Sequence, residues 1–216
     1  CAFIARERGY DCLVFTPAGA RPKCNEIMRS FGAEVREVPG QNYIADARDA
    51  MAEFLEPRRS ERSNGYPKYR CPNHSQKPIS CEALAPIAIE ALNKTGESFT
   101  CFIGAAGNGC TLRGIGDVLK NDNSDIRMFA FDPSAALQAY QLKHGKLDGH
   151  QPQTHQLFGT GGWGVDFPHL KYAVDELMED VWVIDEADWQ RTQEELRDLE
   201  QDVGNTSAAA YDLARD

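Results

Sequence analysis

Short apolar runs alternate with helical patterns along almost the whole chain of 216 residues, and this alternation constrains the fold more than any other feature. The runs have the length of buried strands, and the segments between them repeat apolar residues at helical spacing. Strands separated by helices are typical of a parallel sheet covered by helices on its faces. We therefore predict an α/β fold.

The predicted elements follow from this alternation and from the positions of glycine and proline. The predicted strands are 12–16, 34–38, 99–103, 127–131 and 181–184. The predicted helices are one ending at Gly9, then 22–31, 43–55, 80–93, 110–120 and 186–201, with a further short helix after residue 131. Gly9 and Gly32 lie where helix C-caps are expected, since glycine readily adopts a positive φ.

The segment 56–78 interrupts the pattern with charged, proline and asparagine residues. It is too long for an ordinary connection between packed elements. We therefore predict that 61–79 crosses between a first α/β domain in 1–60 and a larger second domain in 80–216.

The composition excludes several classes of partner. The formal net charge of -10 and the sequence pI near 5.0 disfavour binding to nucleic acid or to anionic membranes, although small anions can still bind locally. No run approaches the roughly 20 apolar residues that a membrane span needs, and none is typical of a signal peptide. The expected location is therefore the cytoplasm, where the seven cysteines stay reduced.

One group of residues invites a metal interpretation. Cys71, His74 and Cys81 lie close in sequence, but their spacing matches no zinc pattern. We interpret this segment as a plain loop, with His74 a solvated histidine, and predict no metal site.

A glycine-rich segment joins a predicted strand to a predicted helix and is the sharpest local feature of the sequence. It runs from Gly104 to Thr111 and includes Gly107 and Gly109. Small residues let backbone N–H groups approach an anion, and the helix N-terminus adds a positive dipole end. The segment predicts a phosphate cradle. The alternative is a tight turn that needs glycine for its backbone angles alone.

A dinucleotide site is a second interpretation of the same loop. The next strand ends in Asp132, about where such folds place the acid that binds a ribose. However, the glycine spacing is not GxGxxG, and Pro133 follows the acid directly. A dinucleotide-binding oxidoreductase nevertheless stays open at this point.

The order of segments resembles the cysteine synthase family, the fold type II pyridoxal-phosphate-dependent enzymes of the tryptophan synthase β-like superfamily. The similar segments, in chain order, are 1–40 with its GAEV run, the loop 107–111 continued by 114–120, Phe131-Asp132-Pro133, 155–161, and 203–209. The resemblance implies a three-layer αβα fold of two domains with the cofactor between them. It also implies that this chain lacks the start of the smaller domain.

The resemblance assigns cofactor roles by position. Five residues correspond to the family's phosphate loop and would hold the phosphate of pyridoxal 5'-phosphate through backbone amides and the Thr111 hydroxyl: Gly107, Asn108, Gly109, Cys110 and Thr111. Thr206 corresponds to the serine that bonds the pyridine nitrogen. From the residues alone, Thr206 and Ser207 also fit an N-cap for the last helix. Cys110 and Ala208 stand where the family has glycine.

The resemblance places the Schiff-base lysine upstream of Cys1, so no catalytic residue is expected in this chain. None of its eight lysines has the family's surroundings. The implied activity of the full-length protein is β-elimination or β-replacement on a serine-like amino acid, of cysteine-synthase type, with O-acetylserine and sulfide giving cysteine. A serine, threonine or diaminopropionate ammonia-lyase and a non-catalytic pseudoenzyme remain alternatives. A small amino-acid substrate and a homodimer are implied by resemblance alone.

Overall fold

The computed structural model describes residues 1–19, 22–40, 44–162 and 164–215. Its contacts divide the chain into two compact units. The first comprises Cys1–Cys71 with Trp163–Val165, and the second comprises Pro72–Gly162 with Asp166–Asp216. None of the described helices is both long enough and apolar enough to cross a membrane.

The first unit contains a small parallel sheet. In chain order its elements are α1 (Ala2–Glu7), β1 (Leu13–Pro17), α2 (Pro22–Ser30), β2 (Glu34–Val38), α3 (Ile44–Leu55), a 3₁₀ turn (Glu56–Arg58), β3 (Arg62–Ser63) and β4 (Tyr66–Pro67). β1 and β2 pair in parallel from Leu13 opposite Glu34 to Pro17 opposite Val38. β3 and β4 form a short antiparallel hairpin that the sequence pattern did not predict.

The helices of this unit end as their glycines predict. Gly9 follows α1 with a φ of +68°, and Gly32 follows α2 with a φ of +85°. A left-handed residue at this position lets the chain leave the helix without the strain that a Cβ would impose. Each helix therefore turns back sharply toward the next strand.

The second unit contains a three-stranded parallel sheet in the order β5-β6-β7. Its elements are α4 (Ile79–Glu82), α5 (Ala85–Thr95), β5 (Cys101–Ala105), α6 (Cys110–Asp122), β6 (Arg127–Pro133), α7 (Gln138–His144), α8 (Pro168–Tyr172), a π turn (Ala173–Leu177), β7 (Asp180–Ile184), α9 (Glu186–Asp198) and α10 (Asn205–Arg215). The α/β class and the parallel pairing are confirmed.

The single helix predicted over 80–93 is wrong, because two helices occupy this region. α4 ends at Glu82, and α5 begins at Ala85 with Pro86 in its first turn. A proline inside a continuous helix would lack the N–H that bonds Glu82 and would clash with that carbonyl. Pro86 is tolerated at a helix start, where its missing donor costs nothing.

The core of the second unit lies around the central strand β6. Residues 128–133 are all buried, as expected for a strand covered on both faces. Phe131 forms one cluster with Ile184 of β7, Trp189 of α9, Ala209 of α10 and Leu157 from the connection between α7 and α8. Residues 155–162 form a second glycine-rich segment, and Leu157 anchors it to the sheet.

Candidate functional site

The loop between β5 and α6 presents backbone donors at its helix end. Gly109 precedes the helix with a φ of +84°, and the first-turn amides of Thr111 and Leu112 have no intrahelical acceptor. Thr111 is exposed, whereas Leu112 is buried beneath the loop. An anion bound at this point would lie at the positive end of the helix, next to the Thr111 amide and the exposed Thr111 side chain.

Close backbone packing, and not only turn geometry, requires the glycines of this loop. A Cβ on Gly107 would lie 2.2 Å from the carbonyl oxygen of Gly159, and one on Gly109 would lie 2.1 Å from the amide nitrogen of Leu170. Only Gly109 of the two has a positive φ. The alternative of a turn that needs glycine for its angles alone therefore does not account for Gly107.

The second glycine-rich segment lies directly against the first. The amide of Gly161 donates to the carbonyl of Ala106 over 3.0 Å. Thr160 is buried, and its hydroxyl donates to the carbonyl of Leu157 over 2.6 Å, which fixes the turn. The two glycine-rich segments therefore belong to one site at the carboxyl end of β5, where ligands of parallel sheets usually bind.

Asn108 and Cys110 are already engaged within the loop. The amide of Cys110 donates to Oδ1 of Asn108 over 3.0 Å, and Nδ2 of Asn108 donates to the hydroxyl of Ser75 over 3.2 Å. An anion can accept a hydrogen bond from the Cys110 amide only when the Asn108 side chain rotates away from it. Sequence reasoning did not find Ser75, because nothing in its local pattern marks it.

The side chain of Cys110 points into the protein. Its Sγ donates to the carbonyl of His74 over 3.2 Å, and burial raises the pKa of the thiol to about 12. The side chain is therefore neutral at physiological pH. The backbone of Cys110 faces the loop, so the larger side chain in place of the family's glycine does not fill the cradle.

The start of α10 is tied to the second glycine-rich segment. Asn205 donates through Nδ2 to the carbonyl of Gln156 over 3.1 Å and accepts from Nε2 of Gln193 over 3.1 Å. α10 begins at Asn205, so Thr206 lies inside the first turn. The interpretation of Thr206 and Ser207 as the N-cap of this helix is therefore wrong. Thr206 is half-buried one turn before the core residue Ala209.

Asp132 has no access to a ribose. It is fully buried at the end of β6, and its Oδ2 accepts from the amide of Tyr140 at the start of α7 over 2.9 Å. Its Oδ1 has no partner among the described residues. This carboxyl caps a helix inside the protein, which removes the acid that a dinucleotide site requires.

Burial also gives Asp132 a testable effect on stability. It raises the pKa of this carboxyl from 3.8 to about 7, so the folded state keeps a proton that the unfolded chain loses. Stability must then fall as pH rises from about 4 to 7. We expect the free energy of unfolding of D132N, measured by urea denaturation, to exceed that of the parent by roughly 1–3 kcal/mol at pH 8. The difference should be smaller at pH 4.5. Parallel profiles in the two proteins would contradict this assignment.

Three lysines of the second unit make structural contacts. Lys120 and Lys143 each donate to two backbone carbonyls. Lys171 follows Leu170, which packs on Gly109, but its ammonium group pairs with Asp175 on the protein surface. These contacts are those of helix ends and solvated ion pairs.

The family comparison decides between the ligands that such a cradle can take. The sequence model described as "Pyridoxal-phosphate dependent enzyme" matches residues 1–216. The chain belongs to this pyridoxal-phosphate-dependent enzyme family.

Curated relatives in this family include cysteine synthases. A probable cysteine synthase from Bacillus subtilis (strain 168) is 25% identical over 159 residues, which cover 74% of this chain and 47% of that protein. A cysteine synthase from Staphylococcus aureus (strain Mu50) is 25% identical over 164 residues, with the same coverage of 74% and 47%. The chain thus spans about half the length of the curated relatives it matches.

Solved structures confirm the fold. An O-acetylserine-dependent cystathionine β-synthase from Helicobacter pylori aligns with a TM-score of 0.77 at 21% identity, covering 97% of this chain and 62% of that one. A hydrogen sulfide-producing enzyme from Fusobacterium nucleatum aligns with a TM-score of 0.77 at 20% identity, covering 97% and 59%. The expected type II fold is confirmed.

The loop fits the phosphate of the family's cofactor. The Thr111 hydroxyl and the free first-turn amides provide donors, and Gly107 and Gly109 keep the backbone close without side chains in the way. The group that would be held there, pyridoxal 5'-phosphate, is the cofactor of the family.

Proposed function

We propose that the protein containing this chain catalyses β-replacement on a serine-like amino acid, of cysteine-synthase type, in which O-acetylserine and sulfide give cysteine. The observation that carries the proposal is the hydroxyl of Thr206, half-buried at the start of α10 and tied through Asn205 to the second glycine-rich segment. The cysteine synthases among the relatives support it.

The proposed role of Thr206 follows from its chemistry. A neutral hydroxyl beside the pyridine nitrogen does not stabilise a proton there, whereas a carboxylate would. When bound, the cofactor supplies an electron sink, and its strength is tuned by the group at that nitrogen. A weaker sink suits loss and replacement of a group at the β-carbon.

The other site residues of the chain bind the cofactor's phosphate and position the loops around it. The amides and hydroxyl at the start of α6 hold the phosphate. The hydrogen bond from the Gly161 amide to the Ala106 carbonyl holds the two loops together. We propose, as the resemblance to the family implies, that the reactive lysine lies outside residues 1–216. Lys120, Lys143 and Lys171 make structural contacts of their own. Activity therefore belongs to the full-length protein, which we propose to be a homodimer by similarity to its family.

The deciding experiment supplies the purified full-length protein and pyridoxal phosphate with O-acetylserine and sulfide, and measures cysteine. We expect cysteine to form, and to disappear when sulfide is left out. Parallel reactions with serine, threonine and diaminopropionate are followed by the release of ammonia and keto acid. If ammonia is released from one of these amino acids faster than cysteine forms from O-acetylserine and sulfide, the proposal is overturned in favour of an ammonia-lyase. No turnover of any of them would favour a pseudoenzyme.

A substitution at Asn108 tests the phosphate contact. Because Asn108 Oδ1 already lies 3.0 Å from the Cys110 amide, N108D places a negative charge within the cradle without changing the side-chain shape. We expect the affinity for pyridoxal phosphate to fall about tenfold or more, measured by absorbance titration. N108S is the matched control, and we expect it to bind within about threefold of the parent. Equal affinities of N108D and N108S would place the phosphate elsewhere.

A further inference from the structure

Three thiol and imidazole side chains converge beneath the phosphate loop. Cys81 comes from α4, Cys110 from the first position of α6, and His169 from α8. Their exposed fractions are 5%, 4% and 2%, and one potential ligand atom from each lies within 4.8 Å of the other two. The cluster shares only Cys81 with the group Cys71, His74 and Cys81 that the sequence pattern raised and set aside.

Helix packing explains why these side chains meet. A Cβ on Gly114 would lie 2.3 Å from the carbonyl oxygen of Cys81, so α4 sits directly on the backbone of α6 one turn after Cys110. The backbone of His169 and Leu170 packs equally closely on Gly109. The two glycines thus bring helices from distant parts of the sequence to the same end of α6.

An unpartnered nitrogen in this cluster requires an explanation. Nε2 of His169 has no hydrogen-bond partner within the part of the chain that the structure describes, although the residue is buried. Its Nδ1 lies 3.1 Å from Nη1 of Arg113, which can only donate. Leaving a buried polar atom unpaired costs about 1–3 kcal/mol, and native proteins rarely do so without a reason.

We propose that Cys81, Cys110 and His169 bind a zinc ion. Two thiolates and one imidazole are ligands that Zn²⁺ prefers, and its Zn–S and Zn–N distances place ligand atoms roughly 3.5–3.8 Å apart in a tetrahedron. The three ligand atoms lie within 4.8 Å of one another, at most about 1 Å wider than that spacing. Binding releases both thiol protons to solvent and leaves a fourth position for water or for the carbonyl oxygen of His74, which lies 3.2 Å from Cys110 Sγ.

Metal binding also moves the contact of Arg113. With the metal at Nε2, the ring proton shifts to Nδ1 and the hydrogen bond from Arg113 is lost. The guanidinium keeps two other partners, since it lies 4.3 Å above the Tyr172 ring and 3.7 Å from the Asp117 carboxylate. The ion would fasten α4, α6 and α8 together directly below the phosphate loop, as a structural site.

A disulfide between Cys81 and Cys110 is the competing interpretation of the two thiols. It would need an oxidant such as a peroxide, which takes up two electrons and two protons as the S–S bond forms. It leaves the unpartnered nitrogen of His169 without a role. The three-ligand arrangement therefore favours the metal.

Cobalt titration of the full-length protein tests the proposal without reference to catalysis. The protein is stripped of metal with a chelator, kept reduced, and titrated with Co²⁺ in the absence of pyridoxal phosphate. We expect thiolate charge-transfer absorption and visible bands of a tetrahedral site to saturate at one equivalent, and Zn²⁺ to abolish them. C81S and H169Q should lose the bands. C101S, which alters an exposed cysteine of the same unit, should retain them.

Thermal unfolding distinguishes variants that lose metal binding from variants that fold poorly. Zinc should raise the melting temperature of the parent and C101S by about 5 °C and leave C81S and H169Q unchanged. Bands of equal intensity in C81S and the parent, or no saturable cobalt binding, would overturn the zinc site. So would a Cys81–Cys110 disulfide, detected by mass spectrometry after peroxide, in a protein that binds no metal. None of these outcomes depends on the proposed activity.

Discussion

G109A should abolish pyridoxal phosphate binding and lower the free energy of unfolding by about 3 kcal/mol or more. Two effects combine at this residue. The φ of +84° strains any residue with a Cβ, and that Cβ would lie 2.1 Å from the amide nitrogen of Leu170. Backbone atoms cannot rotate away as a side chain can, so α8 or the phosphate loop must move. Urea unfolding and absorbance titration with the cofactor measure the two losses.

G96A separates the strain from the clash. Gly96 also has a positive φ, +67°, but nothing lies within 4 Å of the Cβ that alanine would add. We expect G96A to cost about 1 kcal/mol and to leave cofactor affinity unchanged. If G109A proves no more damaging than G96A, the close approach of Leu170 to the loop is not a requirement of the fold.

T206D should lower kcat/KM for β-replacement about 100-fold or more. A carboxylate in place of the Thr206 hydroxyl would favour a proton on the pyridine nitrogen. The charged group would also lose part of its hydration, because position 206 is half-buried. T206S keeps the hydroxyl, and we expect its activity to lie within about threefold of the parent. Steady-state kinetics with O-acetylserine and sulfide, together with the cofactor's absorbance spectrum, measure both effects.

S207D is the matched control for added charge. Ser207 is the exposed neighbour of Thr206 in the first turn of α10, where an acidic side chain also complements the helix dipole. We expect S207D to retain the activity and spectrum of the parent. Equal losses in S207D and T206D would mean that charge near this helix, and not contact with the cofactor, sets the rate.

Patterns of local sequence predicted much of this fold. The predicted strand 34–38 has the same bounds as β2, and Gly9 and Gly32 marked two helix ends. The hairpin of β3 and β4 was missed because its strands have two residues each, too short for any periodic signal. Pro86 was visible in the sequence, and weighing its missing N–H would have divided the helix that contains it.

Contacts between distant segments account for what the sequence did not predict at the site. Composition marked the loop 104–111, but only the structure brings Gly159 and Leu170 onto its glycines. The cluster of Cys81, Cys110 and His169 is similarly invisible, since its members come from three helices. Asp132 was a candidate ribose-binding acid from its position at the end of a strand, whereas the packing of α7 buries it.

We propose that the loop 107–111 holds the cofactor by its phosphate. The most direct measurement is the saturation of the near-visible absorbance band of the full-length protein by pyridoxal phosphate and, separately, by pyridoxal. Both aldehydes can react with a lysine, but only one carries the group that the start of α6 would bind. We predict that pyridoxal binds about 100-fold more weakly or worse. Equal affinities, or no band with either compound, would contradict the account.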